Sequence, residues 1–208
     1  MIIPTINHLI QEVRTAGGLI LGTRDWHPAG HMSFASNYLN RNIFEQIGWD
    51  DVMNGKENTP KLEEKAGFTL EDLQAEFGAG EKQVLWPDHC ITGTPSADYH
   101  DALDISQIDR HIIKGYDAKT EMYSGFFGKE DRRDSQVVKL VDILKTASVR
   151  LVKVVGIATD YCVHATALDA LKNGFDVQVL TKAIAGVNPS DSIKRLEELR
   201  NKGVEIIE

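Results

Sequence analysis

Residues 151–163 read LVKVVGIATDYCV, an apolar run followed by a short polar turn and a cysteine. Residues 151–155 are mostly β-branched, which favours a strand, and Gly156 ends that strand. Residues 162–173 then carry apolar side chains at helical spacing. The segment therefore predicts a strand, a turn, and a helix that begins at Cys162.

The same alternation extends in both directions along the chain. Towards the C-terminus, the predicted elements are a strand at residues 177–180, a helix at 189–199 and a strand at 204–207. Towards the N-terminus, they are helices at residues 3–16 and 135–146 and strands at 19–23 and 111–114. Strands that alternate with helices of about a dozen residues predict the α/β class, as a three-layer α-β-α domain around a mostly parallel sheet.

Residues 34–84 interrupt this pattern. They are irregular and rich in Asn, Gly and charged residues, so we expect an insertion over the face of the domain, with a short helix near residues 69–77. The chain has 208 residues, and a single core can serve up to roughly 250 residues. We therefore expect one domain over residues 1–208, of a fold class that often forms homo-oligomers.

The composition narrows the classes of partner. The formal net charge is -8, which gives no long-range attraction for nucleic acid or anionic membranes. No apolar run approaches the roughly 18 residues that a membrane span needs, and the first residues, MIIPTINHLI, lack the basic and apolar regions of a signal peptide. Two cysteines, Cys90 and Cys162, without such a signal indicate free thiols in a reducing compartment, so the cytoplasm is the expected location.

In a sheet of this kind, ligands bind beyond the carboxyl ends of the strands. That rule selects the segments that follow Thr23, Lys114 and Gly156, which we expect to meet at one edge of the sheet.

Asp25 and His27 directly follow the first predicted strand. Residues two apart in an extended segment project to the same side, so a carboxylate and an imidazole could converge on one cation such as zinc. His89, within WPDHC at residues 86–90, could supply a third ligand. Taken alone, the D-x-H pattern is more often a polar loop with surface histidines, and a histidine beside a tryptophan is often only packed.

Cys162 lies at the start of a predicted helix. The N–H groups and the positive end of a helix stabilise a thiolate and can hold a developing oxyanion, which suits acyl transfer through a thioester. A purely structural cysteine is the alternative. Lys114 closes its strand at the same predicted edge, where it could assist the thiolate electrostatically or be a solvated strand end.

Four motifs, in this order, resemble those of the isochorismatase-like cysteine hydrolases, and within them the nicotinamidases. They are DWHPAGHMSF at residues 25–34, WPDHCITGTP at 86–95, KGYDAKTEMYSGFFG at 114–128 and GIATDYCV at 156–163. Any one of them could arise by chance, but four in the family's order make the resemblance specific. It implies the isochorismatase-like hydrolase fold from the first helix to the C-terminus.

The resemblance implies a catalytic cysteine. Cys162 would attack a carboxamide carbon, with Lys114 next to the thiol. The backbone N–H groups of Ala158 and Cys162 would form the oxyanion hole, beside a cis peptide between Ile157 and Ala158. The net reaction would be nicotinamide plus water to nicotinate and ammonia.

The resemblance also implies a metal and an aromatic pocket. Asp25, His27 and His89 would bind one divalent metal ion, with zinc expected and iron or manganese as alternatives. The pyridine nitrogen of the substrate would bind this metal or a water on it. Some family members use a further histidine as a ligand, and His31 matches it. The residues implied to line the substrate pocket are Trp86, Tyr123 and Ile157.

The start of the chain departs from the family's pattern. Family members begin with a strand that carries a catalytic Asp, and this chain begins at the first helix. We interpret this as a start codon assigned too late or a shortened chain. Because an absent general base removes a contribution of roughly 10²–10⁴ in rate, we expect this exact chain to be poorly active on nicotinamide. Restoring upstream residues should raise turnover at least about a hundredfold, and an unchanged rate would show that the upstream Asp is not needed.

Three other functions fit part of the pattern. The first is an amidase of the same fold that acts on a carbamoyl or ureido substrate and need not have the metal motifs. The second is a hydrolase whose metal makes hydroxide while Cys162 is structural. The third is a catalytically dead relative that binds a ligand. The absence of bound metal would favour the first. Activity that survives replacement of Cys162 by Ala would favour the second. Ligand binding without ammonia release would favour the third.

Overall fold

A computed structural model describes residues 1–48, 50, 51, 69, 82–132 and 136–208. The helix expected near residues 69–77, apart from residue 69, and much of the insertion expected at 34–84 lie outside the described residues. The chain forms two compact units. The first unit comprises Met1–Arg24, Tyr99–Lys114 and Met122–Glu208, and the second comprises Asp25–Asp98 and Gly115–Glu121.

The described strands are Leu21–Asp25 (β1), Gln46–Ile47 (β2), Gln83–Val84 (β3), Arg110–Lys114 (β4), Lys129–Glu130 (β5), Leu151–Ile157 (β6), Asp176–Ala185 (β7) and Glu205–Ile207 (β8). The described α-helices are Ile3–Thr15 (α1), Leu140–Thr146 (α2), His164–Lys172 (α3) and Pro189–Asn201 (α4). A π-helical turn, Thr159–Val163, leads directly into α3. Among the helices described, none is both long and apolar enough to cross a membrane.

In the first unit, β6, β7 and β8 form a parallel sheet in that order. Val179 in β7 is completely buried, as are Ala167 and Ala170 of α3 in the same apolar cluster. The small alanine side chains let the helix approach the sheet closely. Parallel strands joined through helices, with the core between them, agree with the predicted α/β class.

The other strands of the first unit form a sheet in the order β1-β4-β5, with β4 and β5 antiparallel. The strand expected at residues 19–23 begins two residues later, and Asp25 is its last residue. The reason is that Ile20 is engaged by the segment before β4. Its N–H donates to the carboxylate of Asp109 at 2.8 Å, and its carbonyl accepts from the Asp109 N–H at 2.8 Å.

Other boundaries also differ from the sequence prediction. β6 continues through Gly156 to Ile157, and β7 continues to Ala185 instead of ending at residue 180. The starts of two helices differ as well. The helix expected from residue 135 begins at Leu140, because Lys139 forms an antiparallel bridge with Lys129 at the edge of β5. The helix expected from Cys162 is preceded by the π-helical turn, because the N–H of Val163 donates to the carbonyl of Ala158 at 3.0 Å. This i-to-i+5 bond is the pattern of a π-turn, which is frequent at functional sites.

In the second unit, β2 and β3 pair in antiparallel fashion. Its core contains Met32, Phe34 and Leu85, which are all 0% exposed. The N–H of Met32 donates to the carbonyl of Ala118 at 2.9 Å, which joins Gly115–Glu121 to the rest of this unit.

Candidate active site

In the second unit, the main chain of His27 connects two segments that are far apart in sequence. Its N–H donates to the carbonyl of Cys90 at 2.9 Å, and its carbonyl accepts from the N–H of Thr92 at 2.8 Å. His27 thus pairs with Ile91 as in a short parallel ladder. These bonds place the end of β1 beside the segment that carries His89.

Asp25, His27 and His89 form a group whose ligand atoms all lie within 4.8 Å of one another. The Nδ1 atom of His27 lies 3.0 Å from the carbonyl oxygen of Gly115, and Nδ1 of His89 lies 2.7 Å from that of Pro87. Because a carbonyl only accepts, each Nδ1 carries the proton, and each Nε2 keeps its lone pair for a cation. One carboxylate and two imidazoles are a donor set that fits zinc, and also iron or manganese.

His31 is completely buried, and its ring centroid lies 4.3 Å from that of His27. Its Nδ1 accepts from the N–H of Ser33 at 3.3 Å, and its Nε2 lies 3.3 Å from the carbonyl oxygen of Thr120, to which it donates. Burial lowers the pKa of His31 to about 3, and the neighbouring His27 acts in the same direction. The ring is therefore neutral and held by these partners. Its role as an additional metal ligand stays a prediction.

Phe34 is a residue of this site that the sequence did not single out. It is 0% exposed, and its ring centroid lies 5.6 Å from that of His27, 5.7 Å from that of His31 and 5.5 Å from that of His89. It thus packs against all three imidazoles. Its place within the motif at residues 25–34 was the only signal, because its spacing alone does not indicate a contact with His89.

Trp86 is held by its main chain in the second unit. Its N–H donates to the carbonyl of Ser33 at 2.7 Å, and its carbonyl accepts from the N–H of Ala35 at 2.8 Å. Its ring lies edge-on to Phe44, with centroids 5.7 Å apart, and its centroid lies 6.2 Å from that of His89. An aromatic surface formed by Trp86 and Phe44 therefore adjoins His89, one of the three candidate metal ligands.

In the first unit, Lys114 ends β4, and its Nζ donates to the Sγ of Cys162 at 3.3 Å. Lys114 is only 5% exposed, so it is not the solvated strand end that the sequence left open. A positive charge beside the sulfur favours the thiolate. The two residues that the sequence predicted as a pair are therefore in direct contact.

Cys162 lies in the π-helical turn that follows β6. The peptide bond between Ile157 and Ala158 is cis, as the resemblance implied. The carbonyl of Ala158 accepts from the N–H groups of Tyr161 at 3.2 Å and Val163 at 3.0 Å, which closes the turn around the cysteine. Ile157, directly before this turn's Ala158, is 72% exposed.

Tyr123, expected in a substrate pocket, contacts Tyr161, the residue directly before Cys162. The two ring centroids are 5.4 Å apart. Burial raises the pKa of Tyr161 above its usual range, with Asp160 acting in the same direction, so its hydroxyl stays protonated. The Tyr123 ring thus packs against the cysteine-bearing turn.

Comparison with known proteins assigns the chain to a family. The model of the isochorismatase domain family matches residues 1–208, the whole sequence. The chain belongs to the isochorismatase domain family. This isochorismatase domain is 35% identical to a nicotinamidase of Acinetobacter baylyi over 207 residues, which are 99% of the chain and 80% of the relative.

Two solved structures share the fold of this isochorismatase domain. A nicotinamidase/pyrazinamidase from Acinetobacter baumanii is 35% identical, with a TM-score of 0.74 over 100% of this chain and 83% of its own. A pyrazinamidase from Pyrococcus horikoshii, solved in complex with zinc, is 32% identical, with a TM-score of 0.67 over 100% of this chain and 84% of its own. The predicted isochorismatase-like hydrolase fold is confirmed.

Proposed function

We propose that this isochorismatase domain is a nicotinamidase, which hydrolyses nicotinamide to nicotinate and ammonia through a thioester on Cys162. One observation carries the proposal: the buried Lys114 places its Nζ 3.3 Å from the Cys162 Sγ, in a turn that leads into a helix. A thiol in this setting is suited to attack a carbonyl carbon. The relatives named as nicotinamidases support the choice of substrate.

The acylation step exchanges a C–N bond for a C–S bond. The thiol releases the proton that ends on the departing nitrogen, and the Cys162 thiolate attacks the carboxamide carbon, so that the carbonyl oxygen takes up the negative charge. The backbone N–H groups of Ala158 and Cys162 would stabilise this oxyanion. When the C–N bond breaks, its electron pair and one proton go to nitrogen, so ammonia leaves and a thioester remains.

Hydrolysis of the thioester regenerates the enzyme. The oxygen of a water molecule bonds to the thioester carbon, the C–S bond breaks, and the carboxylic acid leaves while a proton returns to sulfur. Lys114 would stabilise the thiolate both when it attacks and when it departs.

Asp25, His27 and His89 would hold one divalent cation in this proposal. The zinc complex of the Pyrococcus horikoshii relative supports zinc, with iron or manganese as alternatives that the donor set also fits. When bound, the cation would supply a Lewis-acidic position. The ring nitrogen of the substrate would bind either the cation or a water molecule on the cation. The same proposal includes His31 as a further metal ligand. It also includes three residues that would line the substrate pocket: Trp86, Tyr123 and Ile157.

Ammonia release from nicotinamide by the purified chain tests the proposal, with the bound metal measured in the same preparation. Replacing Cys162 by Ala should lower kcat by about a thousandfold or more while metal content stays unchanged. Activity that survives this replacement would favour a metal-bound hydroxide instead. Tight nicotinamide binding without ammonia release, in a full-length chain, would favour a dead relative. Hydrolysis of a ureido substrate in place of nicotinamide would favour the other amidase.

Two further expectations stay predictions. They are a single domain over residues 1–208 and assembly into a homo-oligomer. Light scattering measures the assembly.

A further inference from the structure

The turn that carries Cys162 also contains a buried carboxylate, that of Asp160. Asp160 is 5% exposed. Its Oδ1 accepts from the N–H of Val187 at 2.9 Å, and its Oδ2 accepts from the N–H of Asn188 at 2.8 Å. Each carboxylate oxygen therefore has a backbone donor in the segment that leads into α4.

Residues 186–188, which precede α4, are held by hydrogen bonds and by close packing. The side chain of Asn188 caps α4 by accepting two backbone N–H groups of its first turn. Gly186 packs so tightly that a Cβ there would lie 3.2 Å from the Asp160 Oδ1 and would collide with the hydroxyl of Ser192. The carboxylate thus lies at the start of a helix of 13 residues, whose positive end offsets its charge.

We propose that Asp160 is a positioning residue for the nucleophile. Its carboxylate ties the turn Thr159–Val163 to the start of α4, and so keeps the Cys162 Sγ within contact distance of the Lys114 Nζ. This inference rests on the proposed role of Cys162. The bonds to the Ala158 carbonyl give the turn its shape, and the bonds of Asp160 fix its orientation from the side of α4.

We assign Asp160 a positioning role because each of its oxygens accepts a backbone N–H of residues 187 and 188, which directs the carboxylate towards the start of α4. A displacement of about 1 Å in a reacting group can lower a rate about a hundredfold. The hydrogen bonds of Asp160, two residues before the nucleophile, can therefore affect the rate as much as a residue that touches substrate.

Several charged or titratable groups lie in or near the turn. They are Lys114 of β4, Tyr123, Asp160 and Tyr161 in the turn, His164 of α3, and Asp191 and Arg195 of α4.

Charge and position predict opposite results when Asp160 is removed. The loss of a negative charge near sulfur, by itself, would favour the thiolate and shift its formation to lower pH. The loss of contact with Lys114 would disfavour the thiolate and shift its formation to higher pH.

The test is the pH dependence of Cys162 alkylation by iodoacetamide in the full chain, followed by mass spectrometry of the Cys162 peptide. Asp160→Ala should shift this profile to higher pH. Asp160→Asn should shift it less, because one acceptor oxygen remains. Gly186→Ala keeps the charge and strains the same tie, so it should also shift the profile to higher pH. Asp176→Asn removes an exposed charge at the start of β7, beside Leu151 at the other end of β6 from the turn, and should leave the profile unchanged.

Enzyme kinetics give a second readout. Asp160→Ala should lower kcat for ammonia release by about 10–100-fold with KM close to that of the parent chain. If the parent chain releases no ammonia, the proposed function fails, but the alkylation profile still tests the tie. A shift to lower pH in Asp160→Ala, or equal effects of Asn and Ala together with a silent Gly186→Ala, would overturn the inference. If Asp160→Ala does not fold, as judged by circular dichroism, the Asn and Gly186 variants decide.

Discussion

The imidazole of His27 donates through Nδ1 to the carbonyl of Gly115, at 3.0 Å and across 88 residues of sequence. Gly115 has a φ of +65°, a conformation that favours glycine. A Cβ at this position would lie 2.5 Å from the Nδ1 of the same ring, so no other residue fits without displacing His27. The glycine after Lys114 is therefore explained by the candidate metal ligand that it faces.

Gly115→Ala should weaken metal binding by about 10–100-fold, because the partner that orients His27 is displaced. Competition with a chelator of known affinity measures the change. Gly93→Ala is the matched control: Gly93 has a φ of +77° in the same unit, but nothing lies within 4 Å of its Cβ position. Equal losses in both variants would mean that backbone strain, and not the collision with His27, is responsible.

Replacement of any one of Asp25, His27 and His89 by Ala should remove most of the bound metal, because each supplies one of three donors. Metal content by mass spectrometry is the measurement, and treatment of the parent chain with a chelator should have the same effect. His100→Ala, an exposed histidine of the first unit, should retain full metal content. His31→Ala tests whether His31 is a fourth ligand. A lower metal affinity in this variant would support that role.

Lys114→Met should lower kcat for ammonia release about a hundredfold and shift Cys162 alkylation to higher pH. Methionine fills a similar buried volume but cannot stabilise the thiolate next to it. Lys153→Met, on the exposed side of β6, is the control and should change neither quantity. An alkylation profile in Lys114→Met that matches the parent profile would contradict the electrostatic role of this lysine.

His164 of α3 makes stability depend on pH. It is 8% exposed, and its Nε2 lies 3.1 Å from the Oε2 of Glu198 in α4. Burial lowers its pKa below the usual 6.5, although Glu198 opposes this effect. Because the unfolded chain then takes up the proton before the folded chain does, the free energy of unfolding should decrease as the pH falls below 6.5.

Urea unfolding at about pH 7.5 and about pH 5.5 measures this dependence. His164→Gln should be less stable at the higher pH and should lose less stability between the two. His8→Gln, which replaces a histidine with 77% of its side chain exposed, should keep the parent's pH dependence. A parent chain that is equally stable at both values would count against a buried neutral His164.

Local patterns predicted much of the first unit, because strand and helix periodicity is set by neighbours along the chain. The apolar run before Gly156 and the helical spacing after Cys162 identified the cysteine-bearing turn correctly in outline. The π-helical form of that turn was missed, since it depends on the bond from Val163 to the Ala158 carbonyl. The late start of α2 was missed for a similar reason, the bridge between Lys139 and Lys129.

The sequence by itself determined the fold class, the family and the types of residue at the candidate site, because motif composition and periodicity are properties of short segments. Tertiary structure alone decided which nitrogen of His27 stays available for a cation, that Lys114 is buried against sulfur, and that Asp160 is tied to α4. These facts depend on partners many residues away in sequence. Such contacts are set by the packing of the whole unit, and no local pattern encodes them.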